Sequence, residues 1–260
     1  MEPSPAPWIS ALRHSHDRLR ASVESLGLAE LEQRSYASEW SIAQVLSHLG
    51  SQAEIFGLFL DAGLTGQEPP GREEFMPIWD SWNAKDPQAQ ASDALRADQA
   101  TLERFESLDA DQQARLRLKM FGMELGAAGL ARMRVSEHAI HTWDVVVALD
   151  PAATVAPDAV ALLVDTLDQL AARSGKPDGK QRKVRVFTTD PERQFTLETG
   201  EAVTLTPDGE TMPELGLSEL YLPAEAFVRL IYGRMDEAQT PPVESAGVEL
   251  DELRQIFPGY

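Results

Sequence analysis

The stretch SEHAIHTWDVV, residues 136–146, holds two histidines, two acidic residues and a tryptophan within about three turns of a predicted helix. At about 100° per residue, the helix brings four polar residues into one stripe roughly 80° wide. These residues are Arg134, Glu137, His141 and Asp144. The adjacent face is apolar, so the stripe borders a hydrophobic core. The stretch therefore predicts a core helix whose edge carries acidic, basic and imidazole side chains.

Two interpretations of this stripe stay open at the level of the helix alone. It is either a solvated row of charge pairs, each worth about 0.2–0.5 kcal/mol, or part of a metal site. Glu137 and His141 are four residues apart, so a carboxylate oxygen and an imidazole nitrogen can both reach one cation at about 2 Å. Two ligands are too few, and a third must come from another element.

The best candidate for the third ligand is His48, within SEWSIAQVLSHLGSQAEIF, residues 38–56. Ser41 and Gln44 form a capping box that marks the start of a helix, and Trp40 is placed to staple onto that helix. His48 lies two turns inside it, among core residues. The alternative is a core histidine with a satisfied hydrogen bond.

The other histidines are weaker candidates. His138 leaves the fourth helix about 100° away from Glu137, so we do not assign it as a ligand. His14 lies opposite the apolar stripe of the first helix and His16 at the edge of that stripe, so both are interpreted as surface residues.

Helical periodicity predicts four long helices in the first part of the chain and a further one after them. Their approximate ranges are 8–26, 41–56, 91–108, 126–149 and 157–173. The polar, proline-containing segment between the second and third helices, residues 66–90, is interpreted as an ordered functional loop.

The pattern changes at the linker SGKPDGK, residues 174–180, where we place a domain boundary. Three segments that follow alternate apolar and polar residues and predict an antiparallel meander. A further strand and two helices complete the chain. The fold class is therefore α+β, with a helical bundle over 1–175 that we expect to fold alone and a small antiparallel-sheet domain over 176–260.

Composition narrows the possible partners. The formal net charge is −19, which repels nucleic acid and anionic membranes. The N-terminus has neither the basic start nor the apolar run of a secretory signal, and no apolar stretch is long enough to span a bilayer, so we expect a cytoplasmic protein. The chain has no cysteine, so any sulfur chemistry needs an imported thiol.

The motifs W-S-x-x-x-x-x-x-H at residues 40–48 and E-x-x-x-H-x-x-D at residues 137–144 carry a resemblance. Together with LYLPAEAFVRLIYGRMDE, residues 220–237, they resemble the mycothiol-dependent maleylpyruvate isomerase family over nearly the whole chain. The first part is similar to the DinB-type metal-binding four-helix bundle, in which isomerase-type members replace one of three histidines by glutamate.

This resemblance implies that His48, Glu137 and His141 bind a divalent metal, usually zinc. It implies that Arg234 is an arginine brought to the active site by the second domain, in a cleft between the two domains. The alternative for Arg234 is a surface arginine at a helix C-terminus. Asp144 is either a residue that orients a metal ligand or a helix-surface aspartate.

The resemblance further implies mycothiol as thiol cosubstrate, and isomerase or S-transferase activity on a small anionic electrophile. Two other classes stay open: a non-catalytic bundle stapled by its metal, with a binding or regulatory role, and a metal hydrolase that needs no thiol. The sequence fixes neither the electrophile nor the oligomeric state.

Overall fold

The computed structural model describes residues 3–37, 39–120, 122–207 and 217–259. The chain divides into two compact units, Met1–Ala159 and Val160–Tyr260. No helix in the described part of the chain is both long enough and apolar enough to cross a bilayer.

The first unit is mostly helical. Its elements are α1 (Ala6–Val23), α2 (Leu28–Leu31), α3 (Ile42–Thr65), α4 (Arg72–Asn83), α5 (Pro87–Glu106), α6 (Ala110–Arg115), a hairpin of β1 (Leu118–Met120) and β2 (Met123–Leu125), α7 (Ala127–Leu149) and the start of α8 (Pro157–Leu163). The long helices α1, α3, α5 and α7 form the predicted four-helix bundle: α3 lies against α5 and α7, and α1 against α7 and α5. The predicted bundle is confirmed.

Helix α3 begins where its capping box predicts. The Ser41 hydroxyl accepts a hydrogen bond from the Gln44 backbone N–H at 3.2 Å, and the Gln44 side chain accepts one from the Ser41 N–H at 2.8 Å. These two bonds satisfy two N–H groups that a helix start otherwise leaves unpaired. The fixed start places His48 on the second turn of the helix.

The interpretation of residues 66–90 as a loop is wrong for its middle part, which forms helix α4. Its prolines favoured a loop, but the Glu74 carboxylate caps the helix by accepting from the Gly71 N–H at 2.9 Å. Trp82 at its end is buried and packs so closely on α3 that a Cβ at Gly50 would lie 2.2 Å from the indole. Glycine at this position therefore lets α4 close over the bundle.

The second unit is an α+β fold. It holds the rest of α8, a 3-10 turn at Val164–Thr166, α9 (Leu167–Ser174), β3 (Arg182–Thr189), β4 (Arg193–Thr199), β5 (Thr204–Pro207), β6 (Ser218–Pro223), α10 (Ala224–Ile231), β7 (Glu244–Ala246) and α11 (Leu250–Ile256). The strand order is β5-β4-β3-β6-β7. Strands β3, β4 and β5 form the predicted antiparallel meander.

Two features of this unit differ from the sequence analysis. Strand β6 pairs in parallel with β3, so the sheet is mixed; the chain passes from the edge strand β5 to the far side of β3, which no hairpin can achieve. The division between the units also lies before α9 and not at the linker at residues 174–180, because α9 packs against β5 and α10.

Candidate metal centre

Helices α3 and α7 bring the three predicted ligands together. His48 Nε2 lies 3.4 Å from Glu137 Oε2, and His141 Nε2 lies 3.8 Å from the same oxygen. The rings of His48 and His141 are 4.6 Å apart between centroids. All three side chains are partly exposed, and one ligand atom from each lies within 4.8 Å of the others. We call these residues the open cluster.

The spacing of the open cluster suits a tetrahedral metal. Zinc binds imidazole nitrogen and carboxylate oxygen at about 2.0–2.2 Å, which places neighbouring tetrahedral ligands about 3.3–3.6 Å apart. The 3.4 Å separation of His48 and Glu137 lies in this range, and the 3.8 Å separation of His141 and Glu137 is slightly wider. Three ligands on two helices leave a fourth position open.

Asp144 orients the imidazole of His141. Its carboxylate Oδ2 lies 2.9 Å from His141 Nδ1, and Asp144 is fully buried. A carboxylate accepts only, so we assign the proton to Nδ1, which leaves the Nε2 lone pair facing Glu137. The alternative of a helix-surface aspartate is therefore wrong, and the contact is one that commonly fixes a metal-binding histidine.

The ionisation of the open cluster favours a cation. Burial alone would raise the pKa of Glu137, but the hydrogen bond to His48 and the nearby positive charges outweigh it and lower the pKa to about 2. Burial also lowers the pKa of His48 from its ordinary value. At neutral pH the site therefore presents a carboxylate and a neutral imidazole, the forms that bind metal.

The stripe on α7 is not a solvated row of charge pairs. Arg134 and Asp144 are both fully buried. Arg134 turns to helix α5, where its Nη2 donates to Asp98 Oδ1 at 2.8 Å, and it also donates to the Leu49 carbonyl at 3.2 Å. The stripe therefore faces the core at Arg134, and one turn later, at Glu137 and His141, it carries the α7 residues of the open cluster.

A second group of ligand-type side chains lies in the core of the same unit. His16 Nδ1 lies 2.6 Å and His138 Nε2 lies 2.8 Å from Asp98 Oδ2. We call His16, Asp98 and His138 the buried cluster, since each is at most 1% exposed. The interpretation of His16 as a surface residue is therefore wrong, because α5 covers the edge of α1 on which it lies. His14, by contrast, is exposed as predicted.

The buried cluster is built around a carboxylate that is hydrogen-bonded to its neighbours, since His16 Nδ1 and Arg134 Nη2 both bond to Asp98. Its separations are shorter than those of tetrahedral metal ligands, and the Arg134 guanidinium already supplies a positive charge to Asp98. Ser15 Oγ also lies 2.7 Å from His138 Nδ1, a serine–histidine–aspartate arrangement. Ser15 is only 1% exposed, so a substrate cannot reach its hydroxyl.

Arg234 belongs to the second unit. It follows Gly233 just after the end of α10, and its Nη1 donates to the Tyr232 carbonyl at 2.8 Å. Gly233 has φ +67°, and a Cβ there would lie 2.1 Å from the Gly259 nitrogen. Glycine at position 233 therefore lets these two backbone segments approach closely.

Two histidines and a carboxylate that converge from two helices of a four-helix bundle define a bundle protein with a candidate metal centre. The family model described as mycothiol maleylpyruvate isomerase N-terminal domain matches residues 12–146, more than half of the chain. The chain therefore belongs to this family. All three residues of the open cluster lie within the matched segment, and Arg234 lies outside it.

Two solved structures of one enzyme have a similar fold over nearly the whole chain. The mycothiol-dependent maleylpyruvate isomerase matches with a TM-score of 0.68 at 16% identity, over 95% of each chain, and a mutant of that enzyme matches equally well. YfiT from Bacillus subtilis, described as a probable metal-dependent hydrolase with an unusual four-helix bundle topology, matches over 58% of this chain and 90% of its own at 16% identity, with a TM-score of only 0.41. A search of curated proteins gave no match.

Proposed function

We propose that this protein is a metal- and thiol-dependent enzyme of the isomerase or S-transferase type. In this proposal His48, Glu137 and His141 hold a divalent metal, zinc, and the thiol is mycothiol. The observation that carries the proposal is the convergence of the three side chains, at near-tetrahedral spacing, on a partly exposed surface of the bundle. Membership of the family and the likeness in fold support it.

The donor set explains why a thiol is the expected partner. His48, Glu137 and His141 would hold a zinc ion with two neutral imidazoles and one carboxylate, and an ion with the remaining net charge of +1 would favour the thiolate form of a bound thiol. The chain has no cysteine of its own, so the sulfur comes from a bound small molecule. The thiolate then either adds reversibly to a conjugated double bond or displaces a leaving group.

The remaining residues position the reactants. Asp144 holds the imidazole of His141 in the tautomer that binds metal. Arg234 is the group that we propose binds a substrate carboxylate, since its planar guanidinium matches a carboxylate with two hydrogen bonds. This role rests on the family resemblance alone.

Metal content tests the ligand set. We expect about one divalent metal per purified chain by elemental analysis, and His48→Ala and His141→Ala should each lose most of it. His14→Ala is the matched control, because His14 is exposed and pairs with Asp158 on the same unit. Full metal content in both ligand variants would rule out the open cluster as the metal site.

A thiol titration then separates the three classes of function. With Co²⁺ in the site, binding of a thiolate gives a sulfur-to-cobalt charge-transfer band in the near ultraviolet, and we expect this band on addition of 2-mercaptoethanol or mycothiol. A metal-loaded protein without the band would instead indicate a metal-stapled bundle. Hydrolysis of an ester or amide by the zinc form without thiol would indicate a hydrolase.

A further inference from the structure

Trp40 is a large aromatic residue beside the open cluster. Its ring centroid lies 5.4 Å from that of His48 and 6.4 Å from that of His141, with the latter pair nearly stacked at 28°. Trp40 is 37% exposed. A partly exposed tryptophan therefore lies next to two candidate metal ligands.

The backbone around Trp40 is firmly held. Its carbonyl accepts hydrogen bonds from the Ser35 N–H at 3.0 Å and the Ser35 hydroxyl at 2.9 Å. The same segment is tied to α7, because the Tyr36 N–H donates to the Asp144 carbonyl at 3.0 Å. Asp144 in turn orients His141. The backbone of Trp40 is thus held by a segment that contacts Asp144, the residue that orients His141.

Packing against the start of α3 does not by itself require the Trp40 ring to lie beside the imidazoles of His48 and His141. Leaving part of a tryptophan in water forgoes hydrophobic stabilisation of about 25 cal/mol for each Å² of apolar surface. A bound ligand that covers the exposed face would recover this stabilisation.

We propose that Trp40 is a specificity-determining residue, which packs on the group next to the sulfur and so favours thiols that carry a bulky or flat group there over thiols that carry none. This inference rests on the proposed function. A thiol bound beside His48 and His141 would bring the group next to its sulfur near the indole, because the ring borders both imidazoles. An aromatic substituent can then stack on the indole in an offset or edge-to-face arrangement.

The test compares two thiols on the Co²⁺-substituted full chain. Benzyl mercaptan carries an aromatic ring one carbon from sulfur, and 2-mercaptoethanol carries none. Dissociation constants come from the charge-transfer band. We expect Trp40→Ala to weaken benzyl mercaptan by on the order of 10-fold and to leave 2-mercaptoethanol within about twofold of wild type. Trp40→Phe, which keeps a ring, should fall between.

The matched control is Trp79→Ala, since Trp79 lies on α4 and packs against Phe75. It should leave both constants unchanged. Equal weakening of the two thiols by Trp40→Ala, or loss of metal from that variant, would overturn the inference and show that Trp40 only supports the ligands. If neither thiol gives the band in the wild type, the proposed function fails first.

Discussion

Removal of the buried carboxylate of Asp98 should strongly destabilise the bundle. Asp98 is 1% exposed, and its two oxygens serve Arg134, His16 and His138. In Asp98→Ala the guanidinium of Arg134 stays buried with the Leu49 carbonyl as its remaining named acceptor. Breaking a buried ion pair by deleting one partner costs about 3–5 kcal/mol, because the other charge is left uncompensated. We expect a loss in this range.

The assay can be confined to the first unit. All five tryptophans of the chain lie in it, at positions 8, 40, 79, 82 and 143, so unfolding in urea followed by tryptophan fluorescence reports on that unit. With a slope of about 2 kcal/mol per M, the expected loss lowers the midpoint by roughly 1.5–2.5 M. Metal is removed with a chelator from every sample.

A residue on α5, the helix that carries Asp98, provides the control. Asp93 on α5 pairs with Lys85 at 2.9 Å near the surface, so Asp93→Ala should cost less than about 1 kcal/mol. An equally small cost for Asp98→Ala would refute the reasoning. Asp98→Leu combined with Arg134→Met should recover part of the loss, since it removes the uncompensated charge but leaves the buried imidazoles of His16 and His138 without their acceptor.

Four further predictions concern other parts of the chain. Burial lowers the pKa of His138 in the folded state, so the unfolded chain binds more protons below about pH 6.5; urea unfolding should show stability falling as the pH drops below that value. Gly50→Ala should cost several kcal/mol by the same assay, since the new methyl overlaps the ring of Trp82. A fragment of residues 1–159 should keep its helical circular dichroism and bind metal as the full chain does, and an unfolded fragment would show that the two units fold together. Arg234→Lys should keep metal and thiol binding but lower turnover of an anionic electrophile by on the order of 10², and wild-type turnover would return Arg234 to the role of a surface residue.

The sequence predicted those parts of the fold that depend on local signals. The four bundle helices carry long apolar stripes, and the Ser41–Gln44 capping box marked the start of α3. The convergence of His48 with Glu137 and His141 was predictable because two of the three lie one turn apart and the third belongs to a marked helix.

The features that sequence reasoning missed depend on contacts between distant residues. Pro77 lies inside helix α4, and a proline there favoured the interpretation as a loop. Glu74, three residues after Gly71, is a capping signal that predicts the helix start. The burial of His16 depends on Asp98, 82 residues further along the chain, which meets it across the bundle. The parallel pairing of β6 with β3 joins residues 34 positions apart, such as Val184 and Ser218, and carries no local signature.

The open and buried clusters contain the same kinds of side chain, two histidines and a carboxylate, yet the structure suits them to different chemistry. In the buried cluster, burial would raise the pKa of Asp98, but hydrogen bonds and charge from His138, His16 and Arg134 hold it well below its usual value. This carboxylate is already compensated, and a divalent cation would bring an uncompensated charge into the core.

Glu137 differs in its surroundings. Its side chain is 43% exposed, and its named ion-pair partners are His48 and His141, which carry no charge when neutral. A cation at this site meets a carboxylate whose ion-pair partners are imidazoles, keeps contact with solvent and leaves a position for a ligand. Arg134 connects the two environments, since it compensates Asp98 and also donates to the residue that follows His48. Charge compensation and access, and not residue type alone, therefore distinguish the candidate metal centre from the structural network behind it.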